Sequence, residues 1–365
     1  MRSESDESKP TQVEPAEKPT QVEPAEKPTQ VEPTEPTAHV LKLLGGKWIS
    51  AAIATAANLG VFDVLIEHPQ PASSLAVALR CDTGMLTRLL GILESEGLLE
   101  SDATGILSVT PLGAPLRSGV LGELAAFTGA PFSWDPWSRL PDAIRNGDTA
   151  FELHHGTGLF EYLERHPEHA EVYHRAVDAF TRLEAIALAS SFDFSATRRV
   201  VDVGGGRGTL LVEVLKRHSH ISGVLLERAA VADAARAVFE REMLTERAEV
   251  RVGDFFESVP DGADVYVIKH VLHNWSDEHA VRILRNCASA VAPQGRVLVV
   301  EGIMLPPSYR DGTRLLDLEM MTLLGPGRER TKPEFRRLFA AAGLRLESSQ
   351  ELAGTTRLMI GARRS

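Results

Sequence analysis

The run Val201-Asp202-Val203-Gly204-Gly205-Gly206-Arg207-Gly208-Thr209-Leu210-Leu211 constrains the fold of this chain more than any other segment. Val200 to Val203 reads as a buried strand and the glycines as a tight turn, while Leu210, Leu211, Val214 and Leu215 recur at helical spacing. Glycines at such a turn remove the Cβ atoms that would hold a ligand away from the backbone. The dinucleotide fingerprint places glycines at relative positions one, three and six. Here they fall at 204, 206 and 208, and the sixth position is Thr209, so a different cofactor is expected on the same kind of turn.

A second strand is predicted over Ile221 to Leu226. It ends at Glu227, about 20 residues past the turn, where a carboxylate can accept from both hydroxyls of a ribose. A third, near Val250, runs into Gly253-Asp254-Phe255-Phe256, which offers a carboxylate for an adenine amino group and rings to cover its face. Asp264 to Ile268 and Arg296 to Val300 follow as further strands. Strand and helix thus alternate from 195 to 300, which predicts a parallel sheet with helices on both faces. Glu334 to Ala342 reads as a helix, with Leu344 to Leu352 and Arg357 to Ala362 as closing strands. Ligands of such sheets bind beyond the carboxyl ends of the strands, and Gly204, Glu227, Asp254, Lys269 and Glu301 all lie at or just past those ends.

This order of signals is similar to that of S-adenosylmethionine-dependent methyltransferases. The stretch Lys269-His270-Val271-Leu272-His273-Asn274-Trp275-Ser276-Asp277-Glu278 resembles the catalytic segment of O-methyltransferases of the caffeic-acid and hydroxyindole type, a group with bacterial members acting on aromatic polyketides. The resemblance spans about residues 38 to 365. It implies an α/β fold: a Rossmann-like methyltransferase domain with a parallel-rich doubly wound sheet, preceded by a helical, winged-helix-like dimerisation domain. It implies S-adenosyl-L-methionine as cofactor, held by Gly204, Gly205, Gly206, Glu227, Asp254, Phe255, Lys269 and Trp275. It makes His273 the base, with Glu329 as the closer orienter of the imidazole and Glu301 on the ring's other side. At 227 the family more often carries Asp, and at 274 its plant members often carry Asp where this chain has Asn.

The implied chemistry asks for few residues. A sulfonium methyl is already activated, so in-line displacement needs a nucleophilic oxygen and correct placement. A phenol, with a pKa near 10, is ionised in about one molecule per thousand at neutral pH, and taking its proton recovers up to roughly 4 kcal/mol of barrier. An imidazole suits that task, helped by a carboxylate on its other nitrogen. No metal is implied, since no carboxylate cluster of the kind that surrounds a divalent ion is visible.

The remainder of the chain organises around this site. Residues 1–37 carry the repeat Lys-Pro-Thr-Gln-Val-Glu-Pro-Ala-Glu at 9 to 17 and 18 to 26, and with one change at 27 to 35. Such a charged, proline-rich segment buries too little apolar surface to offset chain entropy, so a disordered tail is expected. Residues 38–120 read as helices ending in a helix-turn-helix pair, Ala72 to Leu79 and Thr83 to Glu96. A wing of Gly97 to Glu100 and Ile106 to Thr110 follows. A DNA-binding regulator is the alternative there, but this block holds five Lys and Arg against seven Asp and Glu, whereas a duplex reader presents a basic face. The resemblance makes it a dimerisation domain, so a homodimer without nucleic-acid or membrane partners is expected.

Residues 121–194 form an aromatic-rich helical layer, and residues 195–365 the cofactor-binding catalytic domain. The resemblance places the layer over the acceptor, with Phe127, Trp134, Asp317 and Met321 as substrate contacts and His154 or His155 near a polar substituent. Met1 to Glu7 lacks an apolar core of the secretory type, no apolar run approaches the roughly 18 residues of a membrane span, and there are only 2 cysteines, far apart. These features point to a cytoplasmic enzyme. The expected activity is methylation of a phenolic hydroxyl on an aromatic small molecule, a specialised metabolite. Cofactor-retaining relatives that hydroxylate or decarboxylate are the alternative, and they tend to lack the base.

Overall fold

The computed structural model describes residues 35–364 apart from positions 310 and 326. The expected tail lies outside the described residues as far as position 34. From Glu35 the chain is helical, inside the boundary expected at 37. The described residues through Gly46 belong to one unit and Lys47 onward to a second.

Within the first long helix, Pro36–Leu59 has the length and composition to cross a membrane, an 18-residue window of it reaching a mean hydropathy of 1.3. The segment qualifies on its average and not as the uninterrupted apolar run that the sequence was expected to lack. Ala, Gly and Thr interrupt the large hydrophobic residues without lowering the average enough to disqualify the segment, although Lys42 and Lys47 lie inside it.

In the second unit, the helices Ala72–Leu79 and Thr83–Ser95 form the expected pair, the latter capped by Asp82, whose carboxylate accepts from Met85 N at 2.8 Å. The wing is the antiparallel pair β1 (Leu99–Ser101) and β2 (Leu107–Val109). Asp102 closes its turn by accepting from the amides of Thr104 and Ile106. Phe62, Leu65, Leu75, Leu90 and Leu93 form the core of this block.

Five short α-helices, one 3-10 turn and the long helix Pro167–Ser191 make up the aromatic layer between the wing and the sheet. Phe132, Phe151, Tyr162 and Leu323 are packed together there, and Phe127 is among them, its ring 5.8 Å from those of both Phe132 and Tyr173.

The seven-stranded sheet consists of β3 (Arg199–Val203), β4 (Ser222–Glu227), β5 (Ala248–Val252), β6 (Val265–Lys269), β7 (Arg296–Gly302), β8 (Leu344–Ala353) and β9 (Thr356–Arg363). Its order is β5-β4-β3-β6-β7-β9-β8, with β3 to β7 parallel and β9 antiparallel to both β7 and β8. Val201, Val203, Val224 and Leu226 pack on one face, while Val200, Leu225, Val265 and Val267 pack on the other. Burial on both faces is why these strands are nearly continuous Val and Leu runs. The strand order reverses at β3, so the chains leaving β3 and β6 part and open a crevice at the strands' carboxyl ends.

Leu211 is fully buried against this sheet, close enough to Gly223 of β4 that a Cβ there would lie 2.6 Å from its Cδ1. Leu211→Ala should therefore cost about 3 kcal/mol. Urea unfolding at fixed protein concentration is expected to show a lower midpoint with an unchanged slope.

Candidate active site

The rim of the crevice begins where β3 ends. Asp202 is fully buried in that strand and neither carboxylate oxygen has a hydrogen-bond partner. Burial pushes its pKa up to about 7, opposed by the charge of Lys269 and reinforced by that of Glu227. The turn folds directly over it. A Cβ on Gly205 would lie 2.2 Å from Asp202 Oδ2, so no other residue fits, and Gly206 takes the left-handed backbone conformation at φ 60°. The Gly206 amide donates to Glu227 Oε2 at 2.9 Å, which brings the predicted ribose acid onto the glycine turn, while Gly204 N donates to Leu226 O. Burial holds Glu227 above the usual carboxylate range, against the amides of Arg228 and Gly206.

The aromatic wall is assembled from two loops. Phe255, Phe256 and Trp275 meet edge to face, with Phe256 and Trp275 4.9 Å apart. Phe255 lies beside the turn, since a Cβ on Gly204 would come within 3.2 Å of its ring. Asp254 is exposed, and its carboxylate accepts from Phe256 N at 2.8 Å. Asn286 holds the same loop by donating to the carbonyls of Phe255 and Phe256.

Lys269, expected to help hold the cofactor, has its ammonium largely buried and paired with Glu184 at 3.3 Å. Glu184, nearly fully buried on the helix Pro167–Ser191, also takes His270 Nε2 at 2.9 Å and the Thr356 hydroxyl. Burial opposes its charge, but His270 and Lys269 outweigh burial and hold its pKa down at about 2. His270 itself has a left-handed backbone, φ 49°, unusual for a non-glycine residue and located next to the site.

His273 sits in the single helical turn Leu272–Asn274 that follows β6, and it is buried. Its Nδ1 lies 2.7 Å from Glu329 Oε1. An ionised carboxylate can only accept, so Nδ1 carries the hydrogen and Nε2 keeps its lone pair. Burial by itself would lower the pKa of the imidazole; the bond from Glu329 and the charge of Glu301 prevail and leave it above the usual histidine value.

Glu301, near the end of β7 and expected on the far side of the ring, acts on the imidazole through its charge and on the turn through the backbone. Its Oε1 accepts from Leu272 N at 2.6 Å and from His273 N at 3.1 Å. The reason is local: the amides that open a helical turn have no partner within it, and a buried carboxylate at a neighbouring strand end meets them. Burial raises the pKa of Glu301, with His273 opposing.

Asp317, expected at the substrate, accepts from Glu329 N at 2.7 Å and so fixes the loop that carries the imidazole's partner. Gly302 makes room for that partner, because a Cβ there would lie 2.8 Å from Glu329 Oε2. Phe127 belongs to the aromatic core, since its flat apolar ring is enclosed by neighbours on several helices. Trp134 is half-buried with Lys47 over its ring at 5.7 Å, and Met321 is half-buried on the helix Thr313–Leu323. His155 Nε2 bonds Phe132 O at 3.0 Å, which ties that imidazole to its own layer.

Asp202, Glu184 and Arg330 are site residues that sequence reasoning missed. Asp202 was visible as a lone acid in a valine strand. Arg330 adjoins a residue that was singled out. Glu184 gives no local signal, being one of several acids on a long helix.

A glycine turn without room for side chains, an orphan carboxylate beneath it, a carboxylate at the next strand end and an aromatic wall together suit a cationic adenosyl cofactor. These features define a class: a doubly wound enzyme that transfers a group from an adenosyl cofactor beside a carboxylate-held histidine. The comparisons identify the family. Residues 137–345 match the O-methyltransferase domain and residues 41–116 the O-methyltransferase dimerisation domain. The chain belongs to the O-methyltransferase family and is an S-adenosylmethionine-dependent enzyme.

It is 37% identical over 311 residues to the mitomycin biosynthesis 6-O-methyltransferase of Streptomyces lavendulae, covering 84% of this chain and 88% of that protein. The aclacinomycin 10-hydroxylase of Streptomyces purpurascens is 35% identical over 338 residues, 87% of each chain. A solved structure of the O-methyltransferase NcsB1 from neocarzinostatin biosynthesis, in complex with S-adenosylmethionine and 2-hydroxy-5-methyl naphthoic acid, has a TM-score of 0.69 at 32% identity. It covers 86% of this chain and 96% of that one.

Gly302→Ala should displace the Glu329 carboxylate while leaving the glycine turn intact. The expected result is a fall in kcat of about 10-fold, with S-adenosylmethionine affinity measured by calorimetry unchanged.

Proposed function

We propose that this enzyme methylates a phenolic hydroxyl of an aromatic small molecule, with His273 as the general base. The observation that carries the reading is the buried 2.7 Å bond from His273 Nδ1 to Glu329, which leaves Nε2 as the ring's basic atom. The cofactor supplies a methyl on a sulfonium, an electrophile that needs no further activation. His273 Nε2 takes the hydroxyl proton, the phenolate oxygen gains the methyl, and Glu329 stabilises the imidazolium that forms. Gly204, Gly205, Gly206 and Glu227 hold the adenosyl group, with Phe255 and Trp275 as its aromatic wall. The orphan carboxylate of Asp202 gives a positive charge near the turn a partner.

The aromatic acceptor is carried over from relatives: mitomycin biosynthesis in one, a hydroxynaphthoic acid bound in another. Trp134 and Met321 remain candidate contacts for a flat ring, methionine being soft and adaptable. Homodimer formation through the dimerisation domain follows from the family match. Relationship to a hydroxylase makes oxygen insertion a second reading, but a paired buried base has no task there that the fold requires, and its presence supports transfer.

A labelled-methyl screen over phenols, naphthols and hydroxyquinones tests the proposal directly. His273→Ala should lose at least about 100-fold in kcat while its cofactor affinity stays near that of the parent. Substrate oxidation without methyl incorporation would instead support the second reading.

The sign of the pH dependence follows from His273. Its pKa is raised and the base acts when neutral, so kcat/KM should fall on the acid side with a midpoint above 6.5. Glu329→Gln removes a raising influence. Its acid limb should move to lower pH, and the maximal rate should drop.

A further inference from the structure

We propose that Arg330 is a positioning residue that sets the base and the aromatic wall together, by gripping the backbone carbonyls on either side of His273. The inference rests on His273 being the base.

Arg330 is fully buried, and three of its nitrogens are engaged. Nη1 donates to Leu272 O at 2.8 Å, Nη2 to Trp275 O at 2.6 Å and Nε to Asp277 Oδ1 at 2.8 Å. Leu272 O and His273 N belong to one peptide group. Its oxygen is held by Arg330 and its nitrogen by Glu301, at 3.1 Å. A planar peptide pinned at both atoms cannot rotate, and its plane sets the direction in which the His273 side chain leaves the backbone.

The second carbonyl, that of Trp275, ties the aromatic wall to the same guanidinium. Arg330 also follows Glu329 directly in sequence, so one stretch of chain supplies both the partner of the imidazole and the clamp on its peptide.

Asp277 orients the clamp. Burial opposes its charge, but Arg330 and Arg328 overcome that and hold its carboxyl below the usual range. Only a planar fork reaches two carbonyls and a carboxylate in fixed directions; an ammonium is a point donor and cannot. Arg330 is fully buried with its guanidinium on protein groups, and so acts through the turn.

The test is a mutant cycle in methyl-transfer turnover. Arg330→Lys is expected to lower kcat about 10-fold and Arg330→Met roughly 100-fold. In the His273→Ala background Arg330→Lys should add no further loss, because a residue that acts through the base has nothing left to position. Thermal melting and cofactor calorimetry check folding of each variant. If Arg330→Lys fails to fold, Asp277→Asn, at a half-exposed side chain, takes its place and should show a smaller loss with the same non-additivity.

Full additivity with His273→Ala would overturn the inference while leaving the base intact. A His273→Ala enzyme with undiminished turnover would overturn the base assignment, and the positioning role with it.

Discussion

A single short bond, His273 Nδ1 to Glu329 Oε1, is the interaction for which the site is built. Its two ends come from different places in the sheet: the imidazole from the turn after β6, the carboxylate from a loop beyond the neighbouring strand β7. Neither end is stable alone in that setting, because a buried imidazolium or an unpaired buried carboxylate is costly. The pair is therefore held by fixed backbone. Asp317 accepts from the Glu329 amide and Glu301 from the amides at His273, and Gly302 leaves the space the carboxylate needs. Charges in this region bind peptide groups, and the peptide groups aim the side chains.

The same economy governs the cofactor rim. Asp202 has no protein partner and is packed beneath a turn that tolerates no side chain at Gly205. Such a group would destabilise a purely structural core, and its place at the carboxyl end of β3 is where sheets of this order receive ligands. The helix Pro167–Ser191 adds a restraint from the covering layer. Asp178 accepts from Thr209 at the start of the turn's helix, and Glu184 binds Lys269, His270 and Thr356. The layer expected over the acceptor is thus bolted to the strand end that leads into the base.

Much of this was legible in sequence, for definite reasons. Strands buried on both faces must be apolar throughout, so Val200 to Val203 and Ile221 to Leu226 declared themselves. A turn in close contact with a ligand must be glycine, which made 204 to 206 conspicuous. His273 and Glu329 were reached through a resemblance, since two residues so far apart announce no contact by spacing.

What the sequence did not reveal has one cause. Lys269, Asp317 and Glu301 were each placed near the chemistry, and each also engages a protein partner: Glu184, the Glu329 amide and the His273 turn. Sequence shows which charged side chains arrive at a cleft. It does not show which backbone groups at that cleft lack partners, and those groups decide where the charges go. The helix Pro36–Leu59 shows no long apolar run because small residues carry much of its average hydropathy.

The division of labour between charge and backbone also explains why the loop between the helices Thr313–Leu323 and Lys332–Ala341 is so rich in ions. Arg328 bonds Asp277 and Glu334, Arg330 bonds Asp277, and Glu334 closes a capping box with Thr331 at the start of the helix Lys332–Ala341. The partly exposed pairs of Arg328 contribute little stability one by one. Their geometric effect is larger, because each removes a freedom from the segment carrying Glu329. A base that must meet a hydroxyl within a hydrogen bond's length loses rate with small displacements. A loop fixed by many weak restraints holds that position without one strong interaction that a single thermal opening would undo.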